Sequence, residues 1–141
     1  MILVDTSVWV DFRNSARGPA GDELERLIRS NAPLVLTGLV VAEFLRGLKR
    51  DLAPVTTLLV QWPLVEPGGF ATYETAAAIF RQARERGVTL STADALIASV
   101  ALEIGRRPLF TLDRDFERLS FTGLRLHREN SLREQARRLR I

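Results

Sequence analysis

The sequence contains no cysteine and only one histidine, His127, among its 141 residues. Without cysteine there can be no disulfide, no thiolate nucleophile and no cysteine-ligated zinc. A serine–histidine hydrolase would depend on His127, and no Gly-x-Ser-x-Gly motif accompanies it. We expect this histidine to be exposed or structural, and any metal in the protein to be bound by oxygen.

Long apolar runs and lysine are also scarce. No stretch approaches the roughly 18 uninterrupted apolar residues that a membrane-spanning helix needs. No basic region precedes the apolar start, as it would in a signal peptide, so we expect a cytoplasmic protein. Lys49 is the single lysine, so the net charge of +3 rests on arginine. Arginine suits phosphate recognition, but so small an excess gives only weak support for a nucleic-acid partner.

The remaining composition is that of a globular protein, with 46% hydrophobic and 26% charged residues. Short apolar runs alternate with segments of helical periodicity. The first strand begins at Met1 and stops at Asp5, and further strands are predicted at 33–36, 64–66, 109–112 and 123–126. Helices are predicted at 7–13 (capped by Thr6 or Ser7), 20–30, 39–49, 53–60, 70–86 and 92–104, with a helical turn at 114–119.

This alternation predicts an α/β fold, a single three-layer α/β/α domain with a central parallel sheet of four or five strands. The domain is expected to span residues 1–127, and the arginine-rich residues 128–141 are expected to form a C-terminal helix or tail. Large apolar side chains belong either to the core or to a dimer surface, which the sequence does not distinguish, and they are assigned to the core by default: Trp9, Phe12, Trp62 and Phe70.

Two predicted strands run directly into a carboxylate, at Asp5 and at Asp113. Glu43 and Asp94 lie on predicted helices, roughly 130° and 105° from the centre of the apolar face at about 100° per residue. Ligands of open α/β sheets bind beyond the carboxyl ends of the strands, where the strand order reverses. We therefore expect these four carboxylates to converge at one edge of the sheet.

Each carboxylate also has a purely structural interpretation. Asp5 and Asp113 are suited to cap the helical segments that follow them. Asp94 suits a capping box that begins at Ser91, or the positive end of its helix, and Glu43 suits an exposed helix surface. The hypothesis of a common site therefore rests on the shared position of the four carboxylates rather than on any one of them.

Converging carboxylates repel one another, and a divalent cation removes that repulsion. Mg²⁺ and Mn²⁺ prefer carboxylate and water oxygens. A metal site of this kind suits phosphodiester hydrolysis, because a bound cation lowers the pKa of water and stabilises the leaving oxygen. No protein nucleophile is then required, in keeping with the missing cysteine.

Four segments in this order resemble PIN-domain ribonucleases, in particular the VapC-type toxins of prokaryotic toxin–antitoxin systems. They are VDTSVW (4–9), VAEF (41–44), TADALIA (92–98) and TLDRDF (111–116). The resemblance spans about residues 2–126. It implies a Mg²⁺-dependent endoribonuclease, with Mn²⁺ as the alternative cation, that cleaves cellular RNA and arrests growth. It also implies a homodimer and a cognate antitoxin that covers the site.

The same resemblance assigns roles to residues of this sequence. The four acidic catalytic positions match Asp5, Glu43, Asp94 and Asp113, of which Asp5, Asp94 and Asp113 are the expected metal ligands. Supporting roles are implied for Thr6, Thr111 and Asp115.

Other interpretations of the acidic residues fit less well. A phosphoaspartate receiver would need a lysine after a late strand, and the single lysine is Lys49. A haloacid-dehalogenase-like phosphatase would need a carboxylate where Ser7 stands. A catalytically silent RNA- or partner-binding module of the same fold remains the alternative, and it predicts loss of a carboxylate that is present here. For RNA contact the candidates are Arg13, Arg46 and Arg114, with solvated surface charge as the alternative.

Overall fold

A computed structural model of the protein describes residues 1–103 and 107–128. The strands are β1 (Ile2–Val4), β2 (Leu34–Thr37), β3 (Leu64–Val65) and β4 (Leu109–Phe110). The helices are α1 (Thr6–Arg13), α2 (Pro19–Arg29), α3 (Gly38–Arg46), α4 (Leu52–Leu59), α5 (Phe70–Glu85), α6 (Thr92–Glu103) and a 3-10 helix (Arg114–Thr122). None of the helices in this part of the chain is long and apolar enough to cross a membrane.

The four strands form one parallel sheet in the order β3-β2-β1-β4. The chain moves outward from β1 to β3 and then returns to the far side of β1, so the strand order reverses between β1 and β4. Since crossovers between parallel strands are right-handed, this reversal places α1 to α4 on one face of the sheet and α5 and α6 on the other. Helix packing follows this division, because α1 contacts α2 and α3, while α5 packs along α6. The predicted three-layer α/β/α fold is confirmed.

Burial decreases from the centre of the sheet to its β3 edge. Every residue of β2 and β4 is buried, whereas Leu64 of β3 is exposed. The predicted strand at 123–126 is reduced to one parallel bridge between Leu126 and Leu109, on the outer side of β4. The predicted C-terminal helix or tail beyond Arg128, and the predicted end of α6 at Ile104, lie outside the described residues.

The aromatic side chains divide between core and surface. Trp9 is fully buried, and its ring lies 6.1 Å from Phe44 and 5.3 Å from Trp62, centroid to centroid. Phe12 and Trp62 are half-buried against this core. The prediction that Phe70 is buried is wrong, since this residue is 78% exposed at the start of α5.

Candidate active site

All four predicted acidic residues lie on segments that meet at the carboxyl edge of the sheet. Asp5 directly follows β1, and Asp113 lies beyond β4. Glu43 belongs to α3, which begins immediately after β2, and Asp94 lies in the first turn of α6, the helix that leads into β4. The strand order reverses at this point, so the residues surround the position where open α/β sheets bind ligands.

Asp5 is only 6% exposed, and its carboxylate is held by two hydroxyl groups. Thr111 Oγ1 donates to Asp5 Oδ2 at 2.8 Å, and Ser7 Oγ donates to the same oxygen at 3.0 Å. Asp5 occupies the N-cap position of α1, but its side chain makes no capping hydrogen bond. The structural interpretation of Asp5 as a side-chain cap is therefore wrong. The predicted caps Thr6 and Ser7 are also wrong, because both lie inside the helix.

The two hydroxyl groups that hold Asp5 are themselves fixed by backbone N–H groups beyond β4. The N–H of Leu112 donates to Ser7 Oγ at 3.0 Å, and the N–H of Asp113 donates to Thr111 Oγ1 at 3.0 Å. Each hydroxyl proton is thus directed at Asp5 Oδ2. Within the described residues only Oδ2 of this carboxylate accepts hydrogen bonds, so Oδ1 is left for another ligand.

Sequence reasoning missed Ser7 as a residue of the site. The signal was a hydroxyl residue two positions after a strand-ending aspartate, which was interpreted only as a helix cap. Thr111, by contrast, was expected to support the last acidic position, and its hydroxyl accepts the backbone N–H of Asp113. Its hydrogen bond to Asp5 extends that support to the first acidic position as well.

Glu43 and Thr6 connect α3 to the start of α1. Glu43 is half-buried, and its Oε1 accepts a hydrogen bond from Thr6 Oγ1 at 3.4 Å. This distance is long for a hydroxyl donor, so the contact orients Glu43 only weakly. It does join the second acidic position to the loop that carries Asp5.

Asp94 is coupled electrostatically to the other three acidic residues. Burial is the main cause that raises the pKa of Asp94 above its ordinary value, and a hydrogen bond with Ser91 opposes that rise. The negative charges of Asp113, Asp5 and Glu43 raise the pKa of Asp94 further. Charges act on one another in this way only at short range. The four carboxylates therefore share one electrostatic environment.

Two of the structural interpretations, the caps at Ser91 and at Asp113, are correct. The N–H of Asp94 donates to Ser91 Oγ at 3.0 Å, so Ser91 caps α6. Asp113 Oδ1 accepts from the N–H of Asp115 at 2.9 Å, so Asp113 caps the 3-10 helix. The described contact between Asp113 and Asp115 runs through the backbone of Asp115, not through its carboxylate. Capping fixes Asp94 and Asp113 in position without removing them from the acidic cluster, which consists of Asp5, Glu43, Asp94 and Asp113.

The donor set suits a hard cation that keeps much of its water. No three acidic or histidine side chains among residues 1–103 and 107–128 are close enough to hold a metal ion together. Mg²⁺ is commonly bound through one or two carboxylates and several waters, and it does not require a closed protein cage. The free Oδ1 of Asp5 and the repulsion felt by Asp94 fit such an ion.

The arginines that were candidates for RNA contact differ in their surroundings. Arg13 donates to Asp51 Oδ2 at 3.1 Å and to the carbonyl of Arg50 at 3.2 Å. Arg46 and Arg114 are exposed. Arg114 lines a cavity next to Asp113, whereas Arg13 lines a separate groove beside Glu43.

Comparison with known proteins identifies the kind of domain. The sequence matches the PIN domain family over residues 2–122. It is 32% identical over 121 residues to VapC ribonuclease Mb1587 of Mycobacterium bovis. The aligned region covers 83% of this chain and 90% of that protein.

Solved structures with the same fold belong to toxin–antitoxin proteins. One is the structure of VapBC2 from Rickettsia felis bound to a DNA fragment from the VapBC2 promoter. It has a TM-score of 0.71 and 21% sequence identity, and the match covers 90% of this chain and 98% of the matched chain. VapC20 of Mycobacterium tuberculosis, a sarcin-ricin loop cleaving toxin, has a TM-score of 0.64 and 22% sequence identity. The match covers 91% of this chain and 99% of VapC20. At such identities these structures establish the fold alone.

Proposed function

This chain belongs to the PIN domain family, among the VapC-type ribonucleases, and we propose that it is an endoribonuclease that hydrolyses RNA phosphodiester bonds with a divalent cation. The observation that carries this proposal is the position of Asp5, Glu43, Asp94 and Asp113 on segments that meet at the carboxyl edge of the sheet, where the other three charges add to the raised pKa of Asp94. Three negative charges that raise the pKa of Asp94 are useful where a cation neutralises them.

Asp5, Asp94 and Asp113 are the residues that would hold Mg²⁺, or Mn²⁺ in its place, with one or two of them in direct contact with the ion and the rest reaching it through bound water. When bound, such an ion supplies an activated water and stabilises negative charge on the leaving oxygen. Ser7 and Thr111 keep Asp5 in one orientation, with Oδ1 directed away from their hydroxyls. Glu43 lies outside the proposed ligand set, and we assign it the task of accepting a proton from the attacking water.

The proposal extends to partners and location. The Rickettsia felis neighbour is a VapBC complex, which supports a cognate antitoxin as the partner of this chain. A toxin of this kind would cleave cellular RNA in the cytoplasm and arrest growth. We further propose a homodimer, formed through the exposed face of α5 and α6.

The first test is the substitution Asp5→Asn, which keeps the size of the side chain and removes its charge. The purified variant is expected to lose RNA cleavage, since a neutral amide is a poor ligand for Mg²⁺. Its far-UV circular dichroism spectrum should match that of the wild type. Asp22→Asn, at an exposed position of α2, is the matched control and should cleave normally.

Metal dependence is tested in the same preparation. Mg²⁺ or Mn²⁺ should raise the melting temperature of the wild type, because a ligand that binds only the folded state stabilises it. The rise should be smaller in Asp5→Asn. Cleavage that persists in a chelator, or equal thermal shifts in both proteins, would contradict the proposed site. RNA binding that survives chelation without any cleavage would instead favour the catalytically silent module.

A further inference from the structure

A cavity of about 330 Å³ opens beside the acidic cluster, on the outer side of β4. Thr111 and Asp113 form its border with the site described above. Its other walls come from the 3-10 helix and from the segment that follows it. We name this space the β4 cavity, and its remaining lining residues are Leu112, Arg114, Glu117, Leu126, His127 and Arg128.

The walls of the β4 cavity combine apolar, aromatic and charged groups. Leu112 is 47% exposed, which leaves a large apolar side chain at the mouth of a polar space. Arg114 is an exposed cation directly after Asp113. Glu117 Oε1 accepts a hydrogen bond from Arg128 Nη1 at 3.2 Å, so a hydrogen-bond acceptor and a donor lie side by side.

The far wall of the cavity is held in place by the chain that crosses beside β4. Leu126 bridges to Leu109, and the N–H of His127 donates to the carbonyl of Leu109 at 2.9 Å. The ring of His127 packs 4.9 Å from that of Phe110, centroid to centroid. Its Nε2 lies 3.5 Å from Glu23 Oε1 without hydrogen-bond geometry, so packing and backbone contacts hold the ring. A wall fixed before binding reduces the entropy lost when a ligand enters.

We propose that the β4 cavity binds one nucleotide of the substrate RNA, adjacent to the phosphodiester that is cut. This inference rests on the ribonuclease function proposed above. The cavity shares Asp113 with the acidic cluster, so an RNA strand whose scissile phosphate lies at that cluster must bring a neighbouring nucleotide to this opening. Single-stranded RNA is recognised by just such a combination of apolar or aromatic contacts with the base and hydrogen bonds to its edge.

Different lining residues contact the base, the edge of the base and the phosphate of this nucleotide. Leu112 and Leu126 offer apolar contact to a base, and His127 lines the same wall. Glu117 offers an acceptor to the edge of the base through the carboxylate oxygen that is not bonded to Arg128. Arg114, next to Asp113, is positioned for the phosphate. A volume of about 330 Å³ is at the small end of the range for ligand sites, roughly 300–1,000 Å³, and suits one nucleotide rather than a folded segment.

The test begins with binding, so that it does not depend on catalysis. The probe is a fluorescein-labelled, unstructured RNA oligonucleotide of mixed sequence, with the proteins carrying Asp5→Asn to prevent cleavage. Arg114→Ala should raise the dissociation constant about tenfold, as expected for the loss of a hydrogen bond to a charged group. It should also lower the slope of log affinity against log salt by about 1.

The matched control is Arg118→Ala, on the same 3-10 helix. Arg118 is exposed, donates to the carbonyl of Arg86 at 3.2 Å and does not line the cavity. Its removal should change neither the dissociation constant nor the salt slope. Melting temperatures of both variants establish that the fold is intact.

A second measurement uses the active protein and maps RNA ends at single-nucleotide resolution. Glu117→Gln and Leu112→Ala should alter the base preference at one position beside the cut, while the melting temperature stays unchanged. If the wild type cleaves but both variants keep its base preference and Arg114→Ala keeps its affinity, the cavity proposal is wrong and the ribonuclease proposal stands. If the wild type does not cleave although it binds RNA through Arg114, the ribonuclease proposal fails and the nucleotide site stands.

The remaining possible result is that a protein, not a nucleotide, occupies the β4 cavity. If Arg114→Ala weakens binding of the co-expressed antitoxin and leaves RNA affinity unchanged, the β4 cavity belongs to the protein partner. That result would overturn the nucleotide assignment.

Discussion

The orientation of Asp5 depends on two hydroxyl groups that are remote from each other in sequence. Ser7 and Thr111 both donate to Oδ2, and each accepts a backbone N–H from the segment beyond β4. Hydrogen bonds arranged in such chains polarise and strengthen one another. The arrangement fixes one carboxylate oxygen so that the other is presented to a ligand in a single direction.

Thr111→Val removes one of these donors at nearly constant volume. It also leaves the N–H of Asp113 without its partner, so Asp5 and Asp113 should both lose orientation. We expect the cleavage rate or the apparent Mg²⁺ affinity to fall by about 10- to 100-fold, as for other residues that orient metal ligands. Initial rates over a Mg²⁺ titration measure both quantities. The control is Thr57→Val, at an exposed position of α4 where the hydroxyl donates to the carbonyl of Ala53 in the same helix.

Asp94→Asn should change stability in a way that depends on pH. The folded state raises the pKa of Asp94 above its ordinary value of 3.8, chiefly through burial, so ionisation of this group destabilises the metal-free fold. That penalty is absent below the ordinary pKa, grows as the pH rises towards the raised pKa, and is complete above it. The variant should therefore melt at a higher temperature than the wild type at pH 7.

The advantage of Asp94→Asn should shrink as the pH is lowered and disappear near pH 3, where both proteins carry a neutral side chain at this position. Melting temperatures in the presence of a chelator at pH 7, 5 and 3 provide the measurement. Glu74→Gln, at an exposed position of α5, should show no such trend. A variant that is less stable at pH 7 would contradict a repulsive acidic cluster.

At the scale of elements, contacts between α1 and α2 fix the position of α1, the helix that carries Thr6 and Ser7. The carboxylate of Asp11 accepts the N–H of Gly18 at 3.1 Å and that of Gly21 at 2.7 Å, and so caps the start of α2. The two helices approach closely at Gly21. A Cβ built there would lie 2.9 Å from backbone atoms of Phe12, a distance that requires the helices to separate.

Gly21→Ala should therefore destabilise the protein despite the better helix propensity of alanine. Overpacking costs about 1–3 kcal/mol, which exceeds the roughly 1 kcal/mol gained by replacing glycine within a helix. The matched control is Gly47→Ala, where the nearest backbone atom is 3.6 Å from the added Cβ and φ is −84°. Urea denaturation should show a loss for Gly21→Ala and little change for Gly47→Ala. Equal stabilities would exclude a tight helix contact.

At the scale of the whole molecule, the face formed by α5 and α6 carries apolar surface. Phe70 is 78% exposed and Tyr73 is 53% exposed. A groove of about 450 Å³ next to Tyr73 is also lined by Arg81 and Thr92, and its other lining residues are small or apolar: Ala76, Ala77, Phe80, Ala95 and Leu96. Small side chains allow a helix of another subunit to approach closely, which is why we assign the proposed homodimer to this face.

Tyr73→Glu should weaken that dimer by placing a charge in an apolar contact. Size-exclusion chromatography with light scattering should give a mass near 15.8 kDa for the variant and twice that for the wild type. Val60→Glu introduces the same charge at an exposed apolar residue outside the groove and should leave the dimer intact. A wild type that remains monomeric at micromolar concentration would contradict the proposal.

The sequence by itself determined the order and type of the main elements and the position of the acidic residues along them. Apolar runs that stop at Asp5 and beyond Phe110 mark buried strands, since a short strand covered on both faces needs apolar residues at successive positions. Helical periodicity located α2 to α6 to within a few residues. The carboxyl edge of a parallel sheet then follows from chain direction, so the position of Asp5, Glu43, Asp94 and Asp113 on segments that meet at this edge was predictable from the alternation.

Only the tertiary structure decided which groups hold these carboxylates and which surfaces stay open. Ser7 and Thr111 meet on one oxygen of Asp5 because β1 and β4 are adjacent, and local periodicity does not encode that adjacency. The exposure of Phe70 and the reduction of the last strand to one bridge depend on long-range packing in the same way. Local sequence sets the form of a segment, whereas hydrogen bonds and burial between distant segments set what it contacts.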